Sequence, residues 1–291
     1  MPTEVSISPA SACWNSLRAL TKACFTCLDI HLGNVLSRLP SQVNKLSIEE
    51  LYKQYGEPET IRITRCDGKP LSCHVPSFAV TPLSLAHGKR ADDFSLHDAR
   101  ILLSDFGEAY SPRSEPRLGK DCHTPLGSRP PESRFEPEAP LSWSADIWTL
   151  ATTIWEILGM KALFSNEFPP IDEVTAQHVD VLGAMPLEWW QSWDEKTQFF
   201  DRDGHALKDR EAWPPLDLAF EEFIQKYRRK RPKVGMFGDN EREAILDLMR
   251  RMLAFKPAER PTADDVLKSE WMKKWVLPDV ERSRHGTQEQ M

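Results

Sequence analysis

No stretch of this 291-residue chain approaches the ~18 consecutive apolar residues that cross a bilayer, so a soluble protein with no membrane partner is expected. A cleavable secretory signal is not expected either, because Arg18 and Lys22 interrupt the apolar stretch near the start. Basic charge is in deficit: 37 Lys and Arg against 44 Asp and Glu leave a net charge of −7. That balance argues against nucleic acid as a partner and is compatible with a basic protein substrate. Paired cysteine motifs are scarce too. Cys24 and Cys27 have the two-residue spacing of a zinc knuckle or redox pair, yet Cys13, Cys66, Cys73 and Cys122 supply no second pair at matching spacing. Free thiols in a reducing compartment, cytoplasm or nucleus, are therefore expected.

What is present is an ordinary globular composition, 40% hydrophobic, sufficient for a sizeable core. Residues 1–11 have little to bury and read as a flexible N-terminus, residues 281–291 as a flexible tail, and residues 12–280 as one domain. Trp14, Leu17, Leu20 and Cys24 recur at helical spacing and lead to a loop, Leu28 to Leu36, in which polar side chains are set into an apolar frame. An insert over 37–100 carries a short helix near Ser47 to Tyr55 and a Pro-rich middle from Pro70 to Pro82. Arg100 to Ser104 reads as a strand. Ser144 to Met160 reads as a buried helix with Ile147, Leu150, Ala151, Ile154 and Leu158 on one face and Ser144 available as N-cap. Further helices are expected around Ile245, Leu248, Met249, Met252 and Leu253, and after a Thr262/Asp265 capping box that leads into Val266, Leu267 and Trp271.

Three local features invite functional readings and are better read as structure. Trp189, Trp190, Trp193 and Trp213 are expected to pack a small helical subdomain and not to cage a ligand. Asp201-Arg202-Asp203-Gly204 lacks the spacing and the closing Glu of a calcium loop. The basic run Lys226 to Lys233 fits the solvated face and end of a helix better than an import signal.

The chemistry is concentrated in a few ordered positions. Phosphoryl transfer needs a carboxylate to orient the attacking hydroxyl and oxygen ligands for Mg²⁺. Asp29, with Asn34 five residues on and Asp105-Phe106-Gly107 after the strand, offers that set. Pro130-Pro131-Glu132, Asp146-Ile147-Trp148 and Arg260 follow in order. Together these motifs resemble the catalytic loop, metal-binding loop, activation-segment end and helical base of a protein kinase. Small-molecule kinases of the aminoglycoside type share an Asp-x-His-x-x-Asn loop but lack the later markers.

From about Cys13 to Val280 the chain is similar to fungal relatives of the SR-protein-specific serine/threonine kinases. The stretches that carry the likeness are Asp29 to Asn34, Leu102 to Ala109, Gly119 to Leu126, Lys161 to Phe164 and Arg250 to Phe255. The resemblance implies a mainly α fold, the C-terminal helical lobe of a kinase with short strands. It implies Asp29 as catalytic base, His31 at the γ-phosphate, Asn34 and Asp105 as metal ligands, and Phe106 and Gly107 beside the cofactor. It also implies a buried Glu132–Arg260 ion pair, Asp146 reaching back to the catalytic loop, ATP and Mg²⁺ as cofactors, and arginine/serine-rich protein substrates.

The chain departs from the kinase pattern in several places. Leu28 stands where many kinases have Arg, so switching by phosphorylation of Ser111, Ser114, Thr124 or Ser128 is not expected. Cys27 replaces the usual His, and His31 a Lys, so a weaker or pH-dependent phosphate clamp is expected. Only 28 residues precede Asp29, with no Gly-x-Gly-x-x-Gly, and Lys22 and Lys45 do not sit in a Val-Ala-x-Lys strand, so the N-terminal β lobe is expected to be absent. Three readings stay open: a kinase with an unusual or separately supplied upper lobe, a truncated kinase domain weak or inactive alone, and a non-catalytic module. The last would dock basic segments near Glu188, Asp194, Glu195, Asp201 and Asp203. An apolar face left exposed towards the upper lobe is expected in each case.

Overall fold

The computed structural model describes residues 26–37, 43–81, 101–159, 161–165, 169–231 and 235–285. The expected helix at Trp14 to Cys24 and the 1–11 terminus lie outside them. In chain order come β1 (Val35–Ser37), α1 (Ile48–Tyr55), β2 (Thr60–Arg62), β3 (Phe78–Val80) and β4 (Ile101–Leu103). Strand β1 runs antiparallel to β4 with Val35 opposite Leu103, and β2 runs antiparallel to β3 with Thr60 opposite Val80. Helix α1 begins at a capping box in which Ser47 and Glu50 each receive the other's backbone N–H. The β2–β3 ribbon is exposed along both strands. The β1–β4 pair also shows apolar side chains to solvent: Leu36 is 48% exposed, Leu102 53% and Phe106, just beyond, 44%.

The rest is helical: α2 (Glu132–Phe135), α3 (Trp143–Gly159), α4 (Ile171–Leu182), α5 (Leu187–Ser192), α6 (Leu216–Phe220), α7 (Lys226–Arg229), α8 (Asp239–Met252), α9 (Ala263–Leu267) and α10 (Leu277–His285). A π turn at Glu221–Gln225 joins α6 to α7, and another at Met272–Val276 leads into α10. The last helix therefore runs past residue 280, as far as His285.

Helix α3 is the axis of the fold. Its expected face, Ile147, Leu150, Ala151, Ile154 and Leu158, is buried, but so are Trp148, Trp155 and four threonine and aspartate positions between them. It is surrounded by protein on nearly every side, a setting in which a one-sided apolar stripe gives way to all-round burial. Its polar groups are satisfied locally: Thr149 Oγ1 donates to the Asp146 carbonyl, and Thr152 and Thr153 to that of Thr149. Gly159 closes the helix where a Cβ would lie 2.7 Å from the Phe223 carbonyl, so only glycine lets α3 cross the Glu221–Gln225 turn this closely. The cap belongs to Ser142, not Ser144: the Ser142 hydroxyl accepts from the Ser144 N–H at 3.4 Å, and Ser144 lies inside the helix.

The four tryptophans divide between two clusters. Trp189 and Trp193 are buried with Met185, Phe200 and Phe255, and Trp190 packs against them. Trp189 Nε1 donates to Glu136 and Trp193 Nε1 to Asp172. Trp213 instead packs on the main core around α3 and donates to the Leu163 carbonyl. The basic run is only partly a solvated face. Arg228 is buried over the Phe237 ring, donates to the Gly235 carbonyl, and has its guanidinium pKa pushed down to about 10 by burial.

Glu132 and Arg260 join the end of the activation segment to the helical base. The guanidinium donates to both carboxylate oxygens, at 2.7 and 2.6 Å, and to the carbonyls of Ser144, Ala254 and Phe255. Every donor that Arg260 can aim is used, inside a core that no water reaches. Arg260→Met should leave Glu132 buried and unpaired and cost ~3–5 kcal/mol in urea unfolding, whereas the double variant with Glu132→Leu should recover much of the loss.

A second prediction concerns His178 on α4, whose ring packs edge-on against Trp148 and Phe164 and whose Nε2 has no partner among the described residues. Burial first, then the positive Arg260 and Arg134, push its pKa down to about 3 from 6.5. The folded ring stays neutral while the unfolded one takes a proton, so stability is complete above pH 6.5 and falls between 6.5 and 3, by about 1.4 kcal/mol per pH unit. His178→Phe should remove one proton from that slope in unfolding titrations at pH 6 and 4.5; an unchanged slope would rule out this role.

Candidate active site

The loop from Thr26 to Asn34 is fastened to the helical base at several backbone atoms. Thr26 exchanges N–H···O bonds with Tyr110 at 2.8 and 3.0 Å. The Cys27 and Leu28 N–H groups donate to the two oxygens of Asp146, at 2.9 and 2.8 Å, across 118 or more residues of sequence. Thr124 Oγ1 donates to the Leu28 carbonyl, and the Thr153 hydroxyl, bonded to Thr149 in its own helix, also lies 3.2 Å from the carbonyl of Ile30. These anchors hold Leu28 at φ +57°, a left-handed conformation costing a non-glycine residue ~1–2 kcal/mol. The chain is thereby turned so that Asp29, half-buried, leaves the core while Leu28 and Ile30 stay in it.

Burial pushes the Asp146 carboxyl up to about 7, against the pull of the two N–H bonds. Cys27 feels it directly. Burial, then Asp146, push its thiol up to about 12, with Asp29 and Asp105 adding to the rise. Without a metal beside it, a thiol held this firmly in its neutral form is a weak nucleophile; its sequence neighbour Cys24 lies outside the described residues.

Asn34 draws the other groups together. Its Nδ2 donates to both the Asp29 carbonyl and Asp29 Oδ2, each at 3.0 Å. Its carbonyl accepts from the Ser104 N–H at 2.9 Å and from Ser104 Oγ. Asp105 follows directly at φ +56°, turning away from β4 beside Asn34, with its Oδ1 3.4 Å from the Gly107 N–H. No cation pairs with Asp105 among the described residues. With Nδ2 committed to Asp29, Asn34 has Oδ1 left over, and an amide oxygen beside a free carboxylate is the oxygen set Mg²⁺ prefers. The residues present therefore fit the ion. His31 faces Asp29 Oδ1 through Nε2 at 3.5 Å, and its Nδ1 accepts from the Gly33 N–H at 3.2 Å.

The activation segment, which sequence patterns did not resolve, has its own fastenings. Glu108 bonds Arg117 and His123, Arg129 Nε donates to the Thr124 carbonyl at 2.7 Å, and Lys120 reaches Glu138. Thr124 is correspondingly not available for phosphorylation: it is buried, and its hydroxyl is occupied by Leu28. Asp201, Asp203 and His205 come close together on an exposed turn, where Asp201 Oδ1 already accepts the N–H groups of Asp203 and His205.

The model of the protein kinase domain matches residues 94–272, more than half of the chain. The chain belongs to the protein kinase family. Members use Mg²⁺ and ATP, and in such a domain Asp105, Glu132, Asp146 and Arg260 all fall inside the matched stretch, whereas Asp29, His31 and Asn34 precede it. Among curated relatives, a serine/threonine protein kinase of Aspergillus fumigatus is 29% identical over 180 residues, covering 59% of this chain and 40% of that protein. Protein kinase dsk1 of Schizosaccharomyces pombe is 29% identical over 144 residues, covering 46% and 24%. The serine/threonine-protein kinase SKY1 of Saccharomyces cerevisiae is 26% identical over 141 residues, covering 46% and 17%. The chain thus spans less than half the length of each of these relatives.

Asp146→Asn should loosen the catalytic loop, because an amide presents a donor to one of the two N–H groups and costs ~1–3 kcal/mol. Peptide mapping after brief alkylation should then find Cys27 modified in the variant and protected in the parent chain.

Proposed function

We propose that the chain is a serine/threonine kinase of the SR-protein-specific type, transferring a phosphoryl group from Mg·ATP to hydroxyls in arginine/serine-rich proteins of the cytoplasm or nucleus. The observation that supports it most is the meeting of Asp29, Asn34 and Asp105, brought from two segments 70 residues apart by the hydrogen bonds between Asn34 and Ser104. Asp29 would accept the proton of the substrate hydroxyl. Asn34 Oδ1 and Asp105 would hold Mg²⁺, which when bound supplies neutralising charge at the phosphates, with Phe106 and Gly107 alongside. Glu132, Arg260 and Asp146 would act as struts. The net charge of −7 suits a basic substrate.

The binding-module reading has less behind it. Glu188 is bonded to Lys256, Glu195 to Gln198, and Asp201 is spent on its own turn, so three of the five acids proposed for docking basic segments have internal partners.

Thermal unfolding with Mg·ATP tests the proposal. A ligand at 100 times its Kd stabilises by ~2.7 kcal/mol, and the shift should vanish in Asp105→Ala. If millimolar Mg·ATP leaves the unfolding temperature unchanged, the catalytic reading of this chain is wrong; if it shifts, phosphorylation of arginine/serine peptides should follow.

A further inference from the structure

The sequence pattern places His31 at the γ-phosphate, but its ring is committed elsewhere. A backbone N–H can donate only to a bare lone pair. The 3.2 Å bond from Gly33 therefore leaves Nδ1 without a proton and puts the proton of the neutral ring on Nε2. That Nε2 lies 3.5 Å from Asp29 Oδ1, within ion-pair reach but not yet a formed hydrogen bond, as is common for catalytic groups before substrate arrives. Asp29 Oδ2 is held from the other side by Asn34 at 3.0 Å. The carboxylate is thus bonded by Asn34 at one oxygen and approached by the His31 ring at the other, and each oxygen keeps a lone pair for an incoming hydroxyl.

Gly33 is part of the same device. A Cβ there would lie 2.9 Å from His31 Cε1 and 3.0 Å from Nδ1, so the ring can lie flat on the loop only because residue 33 has no side chain. His31 also caps the short 3₁₀ turn Leu32–Asn34, tying its orientation to the segment that delivers Asn34. Half-buried Glu156 of α3 is a further carboxylate that senses the charge of this ring.

We propose that His31 is a positioning residue for Asp29, locked by Gly33 into the Nε2–H tautomer, and not a phosphate clamp. The neutral ring has one proton, on the nitrogen 3.5 Å from Asp29 Oδ1, so that donor points at the carboxylate and not at a phosphate oxygen. This role rests on Asp29 being the base, but the tautomer does not.

The test begins with the free chain at neutral pH, using long-range ¹H–¹⁵N spectra of the histidine rings, with the His31 signal identified by its loss in His31→Phe. Nε2 protonated and Nδ1 bare, changed to a mixed or reversed tautomer in Gly33→Ala, is the expected result. A charged ring, an Nδ1–H tautomer, or a signal indifferent to Gly33→Ala would overturn the proposal. Kinetics on the parent chain then separate the roles: His31→Phe should lower kcat about 100-fold while KM for Mg·ATP stays within about twofold. A rise in that KM with kcat retained would restore the phosphate clamp and overturn the proposal. A parent chain that transfers no phosphate while the locked tautomer is observed would support the geometry argued here and refute the proposed function alone.

Discussion

The candidate site hangs from one carboxyl group. Asp146 is fully enclosed on α3, and its two oxygens receive the N–H groups of Cys27 and Leu28, the second of which turns left-handed at that point. A carboxylate pointed at two adjacent amides fixes both the position and the direction of a loop, which an apolar contact could not do. Asp29, His31 and Asn34 inherit their geometry from that attachment. Burial makes it costly, and the cost is accepted at the one place where a loop must be aimed.

Arg260 plays the matching part at the lower end. It fastens the end of the activation segment to the base through Glu132 and stacks its guanidinium over Trp148, two residues along α3 from Asp146. Helix α3 therefore carries both attachments on a single rigid rod. Since α3 is buried nearly all round, a shift at either end is resisted by close packing along its whole length. The β1–β4 pair, by contrast, leaves the apolar side chains Leu36 and Leu102 open to solvent.

The sequence made some of this plain and hid the rest for identifiable reasons. Helix α8 and the Thr262/Asp265 capping box follow from spacing and local chemistry, and they stand where the pattern puts them. The order of Asp29, Asn34, Asp105, Glu132, Asp146 and Arg260 was enough to indicate the family. Ser142 escaped because two serines flank Trp143 and either fits a cap by type. Arg228 escaped because a cation inside a basic run gives no sign of which member turns inward over Phe237. Thr124 and the Glu108–Arg117–His123 group are long-range partners, and no periodicity encodes a bond between residues 28 and 124. His31 was legible as a substitution but not as a tautomer, since its proton is placed by the backbone of Gly33.

Cys27 shows what the buried end of the loop means for ageing. A thiol held neutral beside three carboxylates is a poor nucleophile, so peroxide has little to attack at the centre of the site. Cys66 and Cys73, free and exposed near the β2–β3 ribbon, would be oxidised first. Oxidative wear should then accumulate on the insert while the chemistry of the loop stays intact, so a damaged molecule would change its surface before it loses its site.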